Sequence, residues 1–262
     1  MSELSIPNET IRQGSTAYYV IRFAKPKFRN DLTALFLWKN ELRKLYELSD
    51  PGVARIKLQW WLDQISESKE LPTITFIQNL SRLHANSEEC ALAFKNITAE
   101  IDNHLRRTPY SNTKALWQGA LNIGGSFGTL IQIISNSPIS NTTQRIGAWI
   151  FIIESIQNLG HDFRHNINIL PTDLLKQYKS NNAYLMQKEN ENTVTELLQE
   201  FIYQLQTLDE TEVITENVKQ SPLHRYYQLR QKLLTLLVEE NLSVMQQRIS
   251  LTPLRKLWNA FW

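Results

Sequence analysis

An all-α protein is what this sequence predicts, and two observations carry the prediction. No stretch longer than four residues alternates convincingly between apolar and polar side chains, as a half-buried strand would. Apolar residues recur instead at helical spacings, in segments opened by Ser, Asp or Pro, the residues that begin helices. With 262 residues, 42% of them apolar, the chain can fill a full core, and one domain is expected over residues 1–262, with a polar lead-in over 1–14 and a basic-aromatic tail over 252–262. A net charge of +2 argues against nucleic acid as the main partner, so any basic patch must be local. The lone cysteine, Cys90, excludes an intramolecular disulfide and, inside CALAF, reads as a small core residue. MSELSIPNET has no basic start followed by an apolar run, and no segment reaches about 18 uninterrupted apolar residues. A cytoplasmic chain that does not span a membrane is expected.

In chain order, Ser15, Tyr18, Tyr19, Val20, Ile21 and Phe23 make a short helix that stops at Pro26, because the residue before a proline is steered out of the helical region. Ser15 reads either as its N-cap, with two core tyrosines behind it, or as part of a site. Asn30 to Leu48 follows as a long helix, with Leu32, Leu35, Phe36, Trp38, Leu42 and Leu45 on its apolar side. Ser49-Asp50-Pro51 opens ARIKLQWWLDQI, where Trp60 and Trp61 point about 100° apart, so one can enter the core while the other packs on a neighbour. Pro72 begins the TFIQNLSRLH helix, and Ser87-Glu88-Glu89 opens another that runs to Leu105 and carries Glu100, Asp102 and Arg106-Arg107.

Leu116 to Ile134 is apolar but carries Gly119, Gly124, Gly125 and Gly128. Glycine costs about 1 kcal/mol inside a helix, so four of them imply close packing against a neighbour or a ligand chain. The spacing matches no phosphate-binding loop, and no strand precedes it. From Phe151 the sequence reads FIIESIQNLGHDFRHNINILPTDLLKQY. Glu154, Asn158 and Asp162, four residues apart, share one helix face and form a polar stripe able to hold a metal. His161 and His165 have metal-compatible spacing but neither HExxH nor a third ligand. A helix exit follows, and Thr172 and Asp173 open a new helical pattern after Leu170-Pro171. Residues 187–195 read as a loop, while Leu197 to Leu208 and His224 to Leu242, the latter capped by Ser221-Pro222, are helical. In the tail Leu254, Leu257, Trp258 and Phe261 share a face beside Arg255 and Lys256. That face lies either on an anionic membrane or on the body of the protein itself.

The polar helix, basic break and LP-x-D order of residues 151–178 resembles the second aspartate-rich segment of the squalene/phytoene synthase family. Aligned back from Leu170-Pro171, Asn158 and Asp162 fall on the first and last aspartates of that segment, Gln157 on its arginine and Glu154 on its upstream asparagine. Ser15-x-x-Tyr18 with Pro26, the run from Arg55 through Leu58-Gln59-Trp60-Trp61 to Asp63, GGSFGTL around Gly125, and the basic-aromatic tail are similar to further family segments, in the family's order. Leu62 stands where the tryptophan segment has arginine.

The resemblance implies an isoprenoid synthase-type helical bundle around a central cavity. It also implies a reaction that joins two prenyl diphosphates head to head, with Mg²⁺ held between two aspartate-rich helices. It places Asn158 and Asp162 in the catalytic motif, and Ser15, Tyr18 and Gly125 near substrate. The first aspartate pair falls on about Arg43 and Lys44, where two cations repel a hard dication, and a slip of one residue restores no aspartate. These two read either as direct diphosphate contacts or as a solvated face. Glu154, Asp162 and Glu47 are the remaining candidate Mg²⁺ ligands. Asn40-Glu41-Leu42 fits better the family's relative that assists assembly of respiratory complex I. The expected protein is therefore a prenyl-lipid-binding or assembly accessory protein, cytoplasmic or peripheral to the inner membrane through its tail, with a protein partner as a further option. The alternative is a Mg²⁺-dependent farnesyl or geranylgeranyl diphosphate condensing enzyme with an unusual metal site.

Overall fold

The computed structural model describes residues 4–66, 74–209 and 221–261. Among them the regular structure is helical and contains no strand. Thr16–Arg22 (α1) is capped by Ser15, whose Oγ accepts from Tyr18 N at 3.1 Å. Pro26 opens Pro26–Lys44 (α2), four residues earlier than expected; it sits in the first turn, where its missing N–H costs nothing. Pro51–Ser66 (α3), Thr75–Asn86 (α4) and Glu88–Leu105 (α5) follow, and Pro72 lies outside the described residues. Trp61 is buried and stacks on Phe76, while Trp60 stays 43% exposed. Cys90 is buried.

Thr113–Ala120 (α6) runs through a π-helical turn, Leu121–Gly125, into Ser126–Ile134 (α7). Asn141–Arg164 (α8) is the longest helix, opened by a capping box in which Ser140 and Thr143 satisfy each other's backbone N–H. Thr172–Gln177 (α9), Asn182–Leu185 (α10) and Glu191–Leu208 (α11) come next. The expected loop over 187–195 is thus corrected: a 3₁₀ turn at Lys188–Asn190 leads straight into α11 from Glu191. The polar side chains there mark an exposed first turn. Pro222–Glu239 (α12), capped by Ser221, and Pro253–Phe261 (α13) complete the described fold.

Two hydrophobic clusters fill the interior, and α8 belongs to both. Ile146 and Ile150 face the cluster built mainly from α1–α5 and α7, whereas Ala148, Trp149, Ile152, Ile153 and Ile156 face the one built with α6, α11 and α12. A helix apolar nearly all round belongs in a core, and α8 is central for that reason. The glycines allow it close neighbours. A Cβ on Gly124 would stand 2.2 Å from Gly147 O, and one on Gly147 would stand 2.2 Å from Gly124 O, so the π turn and α8 touch backbone to backbone. Gly160 similarly lets the chain at Met245 approach α8, with its carbonyl 2.4 Å from where a Cβ would be. The close neighbour, one of the two reasons the sequence offered for so many glycines, is therefore α8 for Gly124, Gly125 and Gly128, whereas Gly119 makes room for the Tyr110 ring.

Gly147→Ala should destabilise the fold by about 1–3 kcal/mol, as overpacking does, because backbone on both sides must move. Gly52→Ala, whose added Cβ meets only the end of the Asp50 side chain, should be nearly neutral, and urea midpoints of the two variants make the comparison.

Candidate functional site

Between α2, α8, α12, the glycine-bearing turn and the segment before α13 lies a cavity of about 440 Å³. Its apolar wall includes Phe36, Ile97, Ile101, Ile123, Phe127, Ile150, Phe151, Leu223 and Leu229. The charged side chains lining it are Lys39, Arg43, Glu154, Arg230, Arg248 and Lys256, five cations and one carboxylate.

Lys39 and Arg43 lie one helical turn apart on α2 and face Glu154 and Asp162, two turns apart on α8. Lys39 Nζ sits 2.5 Å from Glu154 Oε2, and Arg230 Nη2 sits 2.5 Å from Glu154 Oε1, to which the Tyr226 hydroxyl also donates. Tyr226 and Arg230 are one turn apart on α12. Burial alone would raise the Glu154 carboxyl, but Arg230 and Lys39, with the hydrogen bonds from Lys39 and Tyr226, hold it down at about 2. Arg43 grips Asp162 with both terminal nitrogens, Nη1 lying 3.0 Å from Oδ2, and Asp162 is only 3% exposed. Burial would lower the Arg43 guanidinium, and Asp162 keeps it raised.

Arg248 and Lys256 reach the cavity from the segment after α12. Gln157, buried on α8, fixes that segment by donating to Ile249 O at 2.6 Å. The Arg248 guanidinium is lowered by burial and by the neighbouring Arg230 and Arg43. Lys256, whose Nζ donates to Gly14 O at 3.2 Å, is lowered by burial, Arg230 and Arg248.

A second polar chain reaches the cavity wall from behind. Glu100 Oε1 accepts from the Tyr110 hydroxyl at 2.8 Å, Tyr110 lies 2.6 Å from His104 Nε2, and His104 Nδ1 lies 2.8 Å from the hydroxyl of Tyr46, which lines the cavity. Because Tyr110 donates to Glu100, His104 must donate from Nε2 and accept from Tyr46 at Nδ1. Burial lowers His104 to about 4, so the ring is neutral at pH 7. The Tyr46 proton is thereby turned inward, and only its oxygen lone pairs face the cavity.

The structure brings Ser15, Arg43, Glu154 and Asn158 to one cavity, with Asp162 behind Arg43. Tyr18, Lys44, Gly125 and Glu47 are not among its lining residues. Tyr18 packs edge-on against Tyr19, and Lys44 is exposed and bonds Glu41 at 2.6 Å. A Cβ on Gly125 would meet Gln144 O at 3.1 Å, so that glycine serves helix packing; Gly124 and Gly128 line the cavity instead. Glu47 is half exposed, 3.9 Å from His161 Nε2. Asp102 bonds Arg55 and Arg106 near the surface, whereas Glu100 is buried in the tyrosine–histidine chain. Sequence reading missed Lys39, Tyr226, Arg230 and Arg248. The one available signal was the four-residue spacing of Lys39 with Arg43 and of Tyr226 with Arg230.

The fold family implies Mg²⁺, and the donor chemistry here does not suit it. Asp162 and Glu154 each have their charge matched by guanidinium or ammonium groups, and Asn158 Nδ2 donates to Glu154 O at 2.7 Å. A hard dication needs carboxylate oxygens that are free to turn to it. Among the described residues no three His, Cys, Asp or Glu side chains gather as a metal site.

An all-helical bundle closed around a charged, partly apolar cavity defines the class, that of the isoprenoid synthase fold. The family description "squalene/phytoene synthase" matches residues 11–210, and the chain belongs to the squalene/phytoene synthase family. Its fold is similar to a crystal structure of a dehydrosqualene synthase in complex with ligand, at TM-score 0.71 and 15% identity, covering 94% of this chain and 89% of that one. The search of curated proteins finds no match. Arg230, Arg248 and Lys256 lie beyond the segment that the family description matches.

Glu154→Gln should cost about 1–3 kcal/mol, since it removes the counter-charge of the partly exposed Lys39 and of the more deeply set Arg230. Stability should also fall in acid in two windows. The neutral His104, lowered in the fold, contributes stability that is lost as pH drops from about 6.5 to about 4. Glu154, lowered as well, contributes stability lost as pH drops from about 4.5 to about 2. Denaturant midpoints between pH 7 and pH 5 should decline for the native chain and much less for His104→Gln.

Proposed function

We propose that this family member binds a prenyl lipid in its cavity as a binding or assembly accessory protein and lacks full head-to-head prenyltransferase activity. One observation carries the reading: the two carboxylates of α8 that would recruit metal are already neutralised by Lys39, Arg230 and Arg43. Freeing either one means breaking a part-buried ion pair, at about 1–3 kcal/mol, before any metal is gained. Head-to-head condensation must draw diphosphate from carbon, a charge separation that several carboxylate-held cations normally stabilise. Here fixed side-chain cations occupy that electrostatic place.

Binding without catalysis asks less. The apolar wall from Ile97 to Phe151 accepts a hydrocarbon chain. Arg248 and Lys256, which have no carboxylate partner among the described residues, offer charge to an anionic head group, and the buried Arg230 Nε has no acceptor. The alternative, a Mg²⁺-dependent condensing enzyme, is supported by the retention of the cavity and of Ser15 and Asp162 around it, with Asn158 in place of the motif's first aspartate.

Two measurements separate these readings. Farnesyl or geranylgeranyl diphosphate at a hundredfold excess over Kd should raise Tm by about 5–10 °C, equally with chelator and with Mg²⁺. Incubation of the labelled diphosphates with Mg²⁺ and a reductant should yield no hexane-extractable C30 or C40 hydrocarbon over multiple turnovers. If it does, and Asp162→Ala abolishes the product, the enzyme reading replaces this one.

A further inference from the structure

We propose that α13 and the basic stretch beside it form a docking surface for an anionic lipid bilayer, lying in the interface without crossing it. The helix is held firmly by one face. Ala260 is buried and its carbonyl accepts from Arg225 Nε at 2.9 Å, Lys256 points into the cavity, and the Tyr19 hydroxyl donates to Pro253 O at 3.0 Å. The opposite face turns outward, with Leu254 78%, Leu257 41%, Trp258 67% and Phe261 64% exposed. Four large apolar side chains on nine residues of anchored helix are an unusual cost to leave in water, and they are the kind of residue that enters the head-group region.

Charge selects the occupant. Residues 10–29, which pack against α13 through Phe23 and Phe261 at 5.9 Å, carry Arg12, Arg22, Lys25, Lys27 and Arg29 and no acid. Residues 241–261 carry Arg248, Arg255 and Lys256 and no acid. These eight cations come from a chain of 28 basic and 26 acidic residues, so everything outside the two stretches is acidic in balance, 20 against 26. Arg22, Lys25, Lys27 and Arg255 are exposed. An exposed aromatic and leucine face rimmed by cations matches an anionic lipid surface, where apolar burial and electrostatic attraction add. Among the described residues no helix is long and apolar enough to cross a membrane, so contact is with the surface. Leu251 and Lys256 from the same segment line the cavity, which puts the cavity wall next to the bilayer. The inference does not depend on what the cavity binds.

The test is sedimentation of the full chain with phosphatidylcholine vesicles, with and without phosphatidylglycerol, alongside light scattering. The native chain should pellet with phosphatidylglycerol vesicles and be released by salt. Leu254→Ser with Trp258→Ser, both on the outward face, should weaken partitioning by at least about tenfold. Lys25→Gln and Lys27→Gln should each weaken it by about fivefold and leave the apolar face intact. Thermal melts check folding, and if the serine variant fails to fold, the lysine variants and the salt dependence decide. A native chain that stays in the supernatant, that pellets as well with phosphatidylcholine alone, or whose binding ignores the lysine variants overturns the proposal. A dimer that dissociates in the serine variant, without vesicle binding, overturns it in favour of a second copy of the chain.

Discussion

Glu154 sits at the middle of α8 with Lys39 of α2 on one oxygen and Tyr226 and Arg230 of α12 on the other, and two turns further on Asp162 takes Arg43. Asp162 and Glu154 lose most of their hydration here and recover the loss only if their partners stay in place, while Lys39 and Arg43 keep part of their side chains in water. The contacts therefore act as spacers whose length is set by side chains. They keep three helices apart around a lined space that apolar packing alone would tend to close. The long stems of Lys39, Arg43 and Arg230 span distances that leucine could not.

The opposite wall is set by the reverse condition. At Gly124 and Gly147 the π turn and α8 meet with no side chain between them, and at Gly160 the segment through Met245 comes equally close. Helix α8 is thus drawn tightly to one side and held at arm's length on the other. The cavity lies on the side where charged side chains do the bridging. The same close approach at Gly160, with Gln157 on Ile249 O, carries Arg248 and Leu251 to the cavity edge.

Charge in the cavity is unevenly satisfied. Lys39, Arg43 and Arg230 have carboxylate partners, while Arg248 and Lys256 are both lowered by burial and by neighbouring arginines, a mutual repulsion that an anion would relieve. Cations that are paired shape the site, and those that are not give it a preference. The wall behind Tyr46 is fixed differently, by hydroxyl and imidazole groups that remain neutral at pH 7 and fix one another's proton positions.

Much of the fold was legible in the sequence. Caps at Ser15, Ser87 and Ser221 act through local hydrogen bonds, and proline at 26, 51 and 222 restricts its own backbone, so these helix boundaries are set within a few residues of chain, whereas the start of α8 at Ser140 was not read. Even there Pro26 and Glu191 show that a start can precede the first apolar residues. The stripe of Glu154, Asn158 and Asp162 was also visible, because helical periodicity places it on one face whatever lies opposite. What lay opposite was not visible. Lys39, Arg230 and Arg248 are 115, 76 and 94 residues from Glu154 in the chain, and nothing local distinguishes a lysine that neutralises a buried carboxylate from one on a solvated face. Whether Glu154 is a metal ligand or half of an ion pair is decided by which side chains arrive beside it in three dimensions, since both uses require the same carboxylate and differ only in the cation that fills its field.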